Sequence, residues 1–453
     1  MALGGGTWQF QNKILPGTYI NFASKVRAEA AIADRGYCTM AIEMDWGEED
    51  AVFAVTAEEF QTKTSAIFGY DYASDKMKGL RDLFTHAKMC YFYRLSNGAV
   101  KAANTLATAK YAGIRGNDIM TEVAVNVDDT STFDVVTYLT IDGVKTVMEK
   151  QKNVSTWADV SDNDYVTWKT HDDTELVATA GTPLSGGSNG EAVTSKQYSD
   201  YLAAISPYYF NAMGYVGSDT TIRSLFISNV KRMRDETGAK FQLIVYGAED
   251  VDHEGVISIM NKVTDSGEEV GSLVYWLTGA EASCAVNASL TNSAYDGEYT
   301  IDTKYSQLEL ERAIQTGRLV FHNVTETVSG ELVGKTKILT DINTYTSFVK
   351  RKNSDFSHNQ VMRVLDQIAI DVANLFNKTY LGAEQNDDEG RKALWGDVVY
   401  LHKEYQRVRA IQNFVDEDIE MPTQGTEKTA VLLNECVQPT CCMEKLYAAV
   451  VVA

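Results

Sequence analysis

Apolar positions along this chain change period several times, and those changes divide it into regions. In the first part, short runs alternate apolar and polar residues, the pattern of a half-buried strand. They are Tyr37–Glu43, Met89–Leu95, Thr121–Val127, Phe133–Ile141 and Lys145–Met148, with a helix expected near Ala73–His86. Asp142-Gly143 between two of these runs is a hairpin signal. Thr179–Ser195, rich in Gly, Ser, Pro and Asn, reads as a linker. Beyond it the period switches back and forth. Lys196–Ile205 reads as helix, Tyr208–Val216 as strand and Asp219–Thr237 as helix, with Ile222, Leu225, Phe226, Val230 and Met233 near helical spacing and Gly238 as its stop. Phe241–Tyr246 reads as strand, Glu254–Asn261 as helix and Ser272–Leu277 as strand. Such alternation implies parallel βαβ units with right-handed crossovers.

The last quarter predicts a long helix over Ser357–Tyr380. Ser357-His-Asn-Gln360 has the form of a capping box. Val361, Leu365, Ile368, Val372 and Leu375 fall on one face, and Arg363, Gln367, Asn374 and Lys378 elsewhere on the circumference. A second helix spans Arg391–Val408. Phe414–Met421 and Lys428–Val437, split by Pro422-Thr-Gln-Gly425, read as a hairpin. A two-stranded sheet is marginal alone, and added strands would remedy that. Both chain ends offer strand-like material. Leu446–Ala453 (Leu-Tyr-Ala-Ala-Val-Val-Val-Ala) carries no charged side chain, and Lys13–Phe22 follows a Gly-rich lead, Met1–Gly6. These ends either pack on their own domain or pair with a sheet in a neighbouring copy. The fold class that follows is multidomain α/β and β. It comprises an N-terminal arm (1–25), a small N-terminal α+β domain (26–94), an inserted all-β, sandwich-like domain (95–178), a parallel α/β domain (179–340), a C-terminal α+β domain of helices plus hairpin (341–443) and a C-terminal arm (444–453).

Composition narrows the function. The net charge of −21, from 62 acidic and 41 basic residues, argues against nucleic acid as a partner. No run approaches the roughly 20 apolar residues of a membrane span, and Met-Ala-Leu-Gly-Gly-Gly lacks the regions of a signal peptide. Synthesis and residence in the cytoplasm are therefore expected. Six cysteines, at 38, 90, 284, 436, 441 and 442, are too sparse for a disulfide framework, and Cys436, Cys441 and Cys442 do not have zinc-knuckle spacing. No cofactor or metal is expected. The chain has no Gly-x-x-x-x-Gly-Lys-Ser/Thr, Gly-x-Gly-x-x-Gly, Gly-x-Ser-x-Gly or His-Glu-x-x-His. One polar cluster, Glu249-Asp250-Val-Asp252-His253-Glu254, follows a strand, where α/β sheets bind ligands. An enzyme or ligand-binding protein would act there through Asp250, Asp252 or His253. The alternative is a helix start carrying the acids its dipole favours.

Several segments together resemble one family. They are Leu15-Pro-Gly-Thr-Tyr19-Ile20-Asn-Phe22, Arg35-Gly36 with Trp46-Gly47, Leu184-Ser-Gly-Gly-Ser-Asn-Gly190, Trp276-Leu-Thr-Gly279-Ala280 with Ser289-Leu290-Thr291, and Asp341-Ile342-Asn343-Thr344. In this order they resemble the contractile tail sheath proteins of myophages, phage-tail-like bacteriocins and PBSX-type defective prophages. The resemblance implies a structural protein rather than an enzyme. It implies six-fold rings of this chain, stacked around an inner tail tube, with baseplate and tail-terminator proteins as further partners and neither nucleic acid nor membrane among them. It also implies arms exchanged between copies, through Leu15, Tyr19, Ile20, Phe22, Leu446, Tyr447, Val450, Val451 and Val452. The receiving hairpin would use Phe414, Val415, Ile419, Val431, Leu432 and Leu433. With the long helix on the inner wall, Lys350, Arg351, Lys352, Arg363 and Lys378 would face the tube.

Overall fold

The computed structural model describes residues 32–141, 143–169, 175–328 and 331–452. The expected N-terminal arm, with Leu15, Tyr19, Ile20 and Phe22, lies outside them. The chain divides into two compact units, Asp34–Asp366 with Pro439–Ala453, and Met1–Ala33 with Gln367–Gln438.

The larger unit is built on one sheet. Its first strands are β1 (Tyr37–Ile42), β2 (Val52–Thr56) and β3 (Met89–Arg94), with helices α1 (Ala57–Phe68) and α2 (Lys78–Phe84) between the last two. Thr56 and Glu59 close a capping box that starts α1. An all-β module follows: β4 (Ala107–Ala109), β5 (Ile119–Val125), β6 (Phe133–Ile141), β7 (Val144–Val154), β8 (Val166–Trp168) and β9 (Thr179–Pro183). Strands β7-β6-β5-β9 form an antiparallel sheet, and β4 pairs with β8. Gly143, between β6 and β7, has φ 78°, the left-handed conformation the hairpin signal required; Asp142 lies outside the described residues. The segment expected to be a pure linker starts as an edge strand, because Thr179–Pro183 pairs with β5.

The chain then returns to the main sheet through α3 (Ser195–Ile205), β10 (Ala212–Tyr215), α4 (Thr220–Asp235), β11 (Gln242–Tyr246), β12 (Val256–Ile259), α5 (Leu273–Ser283), α6 (Gln307–Gln315) and β13 (Arg318–Leu319). The strand order is β13-β12-β11-β10-β1-β3-β2, parallel throughout except that β2 runs against β3. Residues 26–94, expected to fold separately, instead supply three strands of this sheet, since β1 pairs directly with β10. Two further expectations are reversed. Ser272–Leu277 starts helix α5 rather than forming a strand, and Glu254–Asn261 holds strand β12 rather than a helix. Leu273–Ala282 is buried except at Tyr275, so its apolar run has no polar stripe to reveal a helical period. Helices cover both faces. Leu80, Leu83, Trp276 and Leu277 form one core with Met40 and Ile244. Tyr201, Phe226 and Val230 form the other with Leu243 and Val245. Strands buried on both faces read as unbroken apolar runs. A long antiparallel pair, β14 (Phe321–Val328) and β15 (Glu331–Ile338), follows.

The long helix α7 runs over Asn359–Leu375 and ends in a π turn, Phe376–Tyr380. Its start departs from the expected capping box, because the Ser357 hydroxyl donates to Ser354 O and Gln360 accepts from the Cys442 N–H. In the smaller unit, Asp387 caps α8 (Asp388–Arg407). A short hairpin follows, β16 (Thr423–Gln424) and β17 (Val431–Leu432). Two side chains of α8 brace it. Trp395 Nε1 donates to Ile419 O at 2.8 Å, and His402 Nε2 lies 3.3 Å from the Glu435 carboxylate.

Candidate assembly interface

The C-terminal tail leaves the larger unit from a pinned root. The Cys442 N–H donates to Gln360 Oε1 at 2.9 Å, and the Thr291 hydroxyl donates to Glu444 Oε1 at 2.7 Å. From Lys445 to Val452 the chain has no regular structure. Leu446 is 91%, Tyr447 90%, Val450 85%, Val451 90% and Val452 91% exposed. Five large side chains at these values leave a continuous apolar strip in water, which a monomer gains nothing by presenting.

The hairpin of the smaller unit has the complementary deficiency. Thr423 pairs with Leu432 and Gln424 with Val431, and an isolated bridge joins Ile419 to Glu435. The Gly425 N–H closes the turn on Ala430 O at 2.9 Å. By the alternation of an antiparallel ladder, Val431 and Leu433 direct their N–H and C=O groups outward. The opposite edge carries Pro422, which has no N–H to offer. The hairpin is shorter than the sequence suggested, because Asp416–Asp418 forms a 3-10 turn where a strand was expected. That changes the receiving set. Phe414 and Ile419 are 7% and 2% exposed, with Phe414 stacked on the His402 ring, so both already belong to the smaller unit's own core. Val415 is exposed but sits at the mouth of the turn. Val431, Leu432 and Leu433 remain at least partly accessible.

The five candidate cations separate. Lys350 and Arg351 are exposed at the tip of a tight turn in which Val349 and Lys352 exchange both backbone hydrogen bonds, at 2.8 and 3.0 Å. Lys352 is half-buried and its ammonium donates to Glu254 at 2.5 Å. Lys378 is exposed in the π turn. Arg363 is a correction. Its side chain is 1% exposed, paired with Glu281 through Nη1 and with Asp341 through Nη2, so it presents no charge at the surface.

The acidic cluster proves to be a joint. Asp252 Oδ1 accepts the N–H groups of Thr346 and Ser347 at 2.8 and 2.9 Å. Burial works against its charge, yet these donors outweigh it and hold the carboxyl below its usual range. Glu249 pairs with Arg318, and Glu254 with Lys352. His253 Nδ1 accepts the Gly255 N–H at 3.0 Å. The neutral ring therefore carries its proton on Nε2, 3.5 Å from Asp235, and burial pushes its pKa down, towards that neutral form. Asp235, His253 and Glu254 come within 4.8 Å of one another. A protonated Nε2 and a carboxylate already holding a lysine do not suit a metal ion. Asp250, with φ 54°, lines a cavity of about 390 Å³ beside Glu249, Arg312 and Arg318, without a nucleophile–base arrangement. Among the described residues no helix is long and apolar enough to cross a membrane.

Sequence reasoning did not connect Thr291, Gln360 and Glu444 with the fastening of the tail, and Glu444 carried no signal of its own. Gln360 gave a misleading signal, since its spacing from Ser357 imitated a cap.

Comparison with known proteins gives one consistent result. Residues 35–95 match the family model described as tail sheath protein Gp18 domain III N-terminal region, and 96–189 the phage tail sheath protein beta-sandwich domain. Residues 191–329 match the phage tail sheath protein central domain, and 351–453 the phage tail sheath C-terminal domain. The phage-like element PBSX protein XkdK of Bacillus subtilis is 27% identical over 98% of this chain and 99% of its own. The sheath tail protein of Desulfitobacterium hafniense is 32% identical, with a TM-score of 0.77 over 93% of this chain and 96% of that one. The helical sheath of the anti-feeding prophage in its contracted state, 11% identical with a TM-score of 0.55 over 97% of this chain and 99% of that one, shares the fold. The chain belongs to the phage tail sheath protein family, as a tail component of a phage or phage-like particle.

Proposed function

We propose that this protein is the polymerising subunit of a contractile tail sheath, stacked as six-fold rings around an inner tail tube and bounded by baseplate and terminator proteins. Each copy lends its N- and C-terminal arms to neighbours as strands. The observation that supports this reading is a pairing of deficits among the described residues: an apolar tail without a partner at Leu446–Val452, and a two-stranded hairpin with an open edge at Val431 and Leu433. An eight-residue strand reaches roughly 26 Å at about 3.3 Å per residue, enough to cross to an adjacent subunit. Each backbone bond it adds is worth about 0.5–1.5 kcal/mol net. The arms keep copies joined while their bodies rotate, so the sheath shortens without scattering and drives the tube through a bacterial envelope. No nucleotide is needed, because the extended lattice is a kinetically trapped state above the shortened one. Synthesis takes place in the bacterial cytoplasm.

Negative-stain images of the purified protein are the direct test. Tubes or rings are the expected result, and monodisperse particles at every concentration would reject polymerisation. Contact with the tube is assigned to Lys350 and Arg351, with Lys378 a third exposed cation. Lys350→Glu with Arg351→Glu should lower co-assembly with purified tubes at least about tenfold, more at low salt than at high, with the urea unfolding midpoint unchanged. Equal co-assembly would move the contact elsewhere.

A further inference from the structure

One chain of polar contacts in the larger unit, buried at Glu281, Arg363 and Asp341 and open to solvent at Glu444, runs from Arg35 to the root of the C-terminal tail. Arg35 lies about ten residues past the segment expected to form the N-terminal arm, 1–25, and near the start of the described chain. Its guanidinium caps the last turn of α5, donating to Cys284 O at 2.9 Å and Glu281 O at 3.2 Å. The Glu281 carboxylate, on the same turn, pairs with Arg363 of α7. The other side of that guanidinium donates to Asp341 Oδ2 at 2.6 Å. The Asp341 N–H donates to Thr291 Oγ1 at 2.9 Å, and the Thr291 hydroxyl donates onward to Glu444 at the root of the C-terminal tail. Gln360, on α7 beside Arg363, holds the Cys442 N–H. Charge balances within the set, with Arg35 and Arg363 against Glu281 and Asp341. Burial pushes the Glu281 carboxyl up despite Arg363, whereas Asp341, which also accepts from Leu290 and Asn359, is held low. The members of a buried, satisfied set can be worth more together than pairwise deletions suggest.

We propose that the relay Arg35–Glu281–Arg363–Asp341–Thr291–Glu444 couples the two arm roots, so that loosening or loading one changes the firmness of the other. The coupling is a property of the single chain. Its use, letting a copy register the engagement of one arm at the other, rests on the strand exchange proposed above.

Hydrogen–deuterium exchange of the unassembled full chain separates the two. Thr291→Val breaks the link to Glu444 and should raise amide exchange both at Cys442–Lys445 and at Arg35–Tyr37, the remote effect being at least about fivefold, the lower end of ordinary coupling between sites. Thr291→Ser keeps the hydroxyl and should restore both. Arg35→Gln should act in the opposite direction, raising exchange at Cys442. An effect confined to the mutated root in both variants overturns the coupling, even if tubes form normally. If Arg35→Gln does not fold, the Thr291 pair decides, because that side chain lies at the surface end of the relay. Coupling in a chain that forms no tubes would instead leave the relay standing and remove strand exchange.

Discussion

Deleting Leu446–Ala453 should abolish tube formation and leave the monomer as stable as before. The five large side chains removed are 85–91% exposed, so no buried area is lost from the single chain, and the unfolding free energy should change by no more than about 0.5 kcal/mol. In an assembly the same residues would matter far more. Burying the four aliphatic ones is worth about 6–12 kcal/mol gross at about 1.5–3 kcal/mol each. Fixing the backbone of eight residues costs about 8–16 kcal/mol, and the added ladder bonds return about 0.5–1.5 kcal/mol apiece. These sums nearly cancel. One tail therefore binds weakly by itself and holds only where the lattice already places donor and acceptor side by side, which raises the effective concentration. Loss of the tail should accordingly show as a collapse of assembly rather than a graded weakening. Urea melts and negative-stain images of the same sample provide the check, and normal tubes from the truncated chain would refute the arm reading.

Arg363→Met should have the reverse signature, a monomer destabilised before any assembly is attempted. The substitution leaves Glu281 and Asp341, both 1% exposed, facing each other without their shared cation. Removing one partner of a buried ion pair costs about 3–5 kcal/mol, a large share of the roughly 5–15 kcal/mol that holds a domain together. Adding Glu281→Gln removes one of the two stranded charges and should recover part of the loss. Lys378→Ala, at an exposed site, should change stability by no more than about 0.5 kcal/mol. The measurement is the urea midpoint followed by circular dichroism. A shift under about 1 kcal/mol for Arg363→Met would mean that water reaches the pair.

Arg363 also shows what a sequence can and cannot reveal. Its place in the 3.6-residue rhythm of α7 was legible, but its surroundings were not. Its carboxylate partners lie 82 and 22 residues away, and periodicity treats any cation off the apolar stripe as a surface residue. The reversal of Glu254–Asn261 and Ser272–Leu277 has a related cause. A short apolar run buried on all sides has no polar face to report its period, so helix and strand look alike. Where a polar face existed, as at Asp219–Thr237 with its capping aspartate, the element was readable almost to the residue. The apolar tail stood out because composition alone marked it. Arg35, Thr291 and Asp341 were singled out only as parts of separate segments, and it took the fold to bring them onto one relay.

The all-β module enters and leaves the larger unit side by side. Asn97 bridges Gly190, Val100 bridges Ser188, and the Glu191 N–H donates to Asn97 O at 2.9 Å, while the strands on either side of the excursion, β1 and β3 before it and β10 after it, sit in the main sheet. A stem of that kind makes the module a graft point for a foreign domain whose own ends lie hydrogen-bond close, provided the splice between residues 97 and 190 also replaces the Ala112 carbonyl that buried Arg94 of β3 holds; each copy would then display one payload.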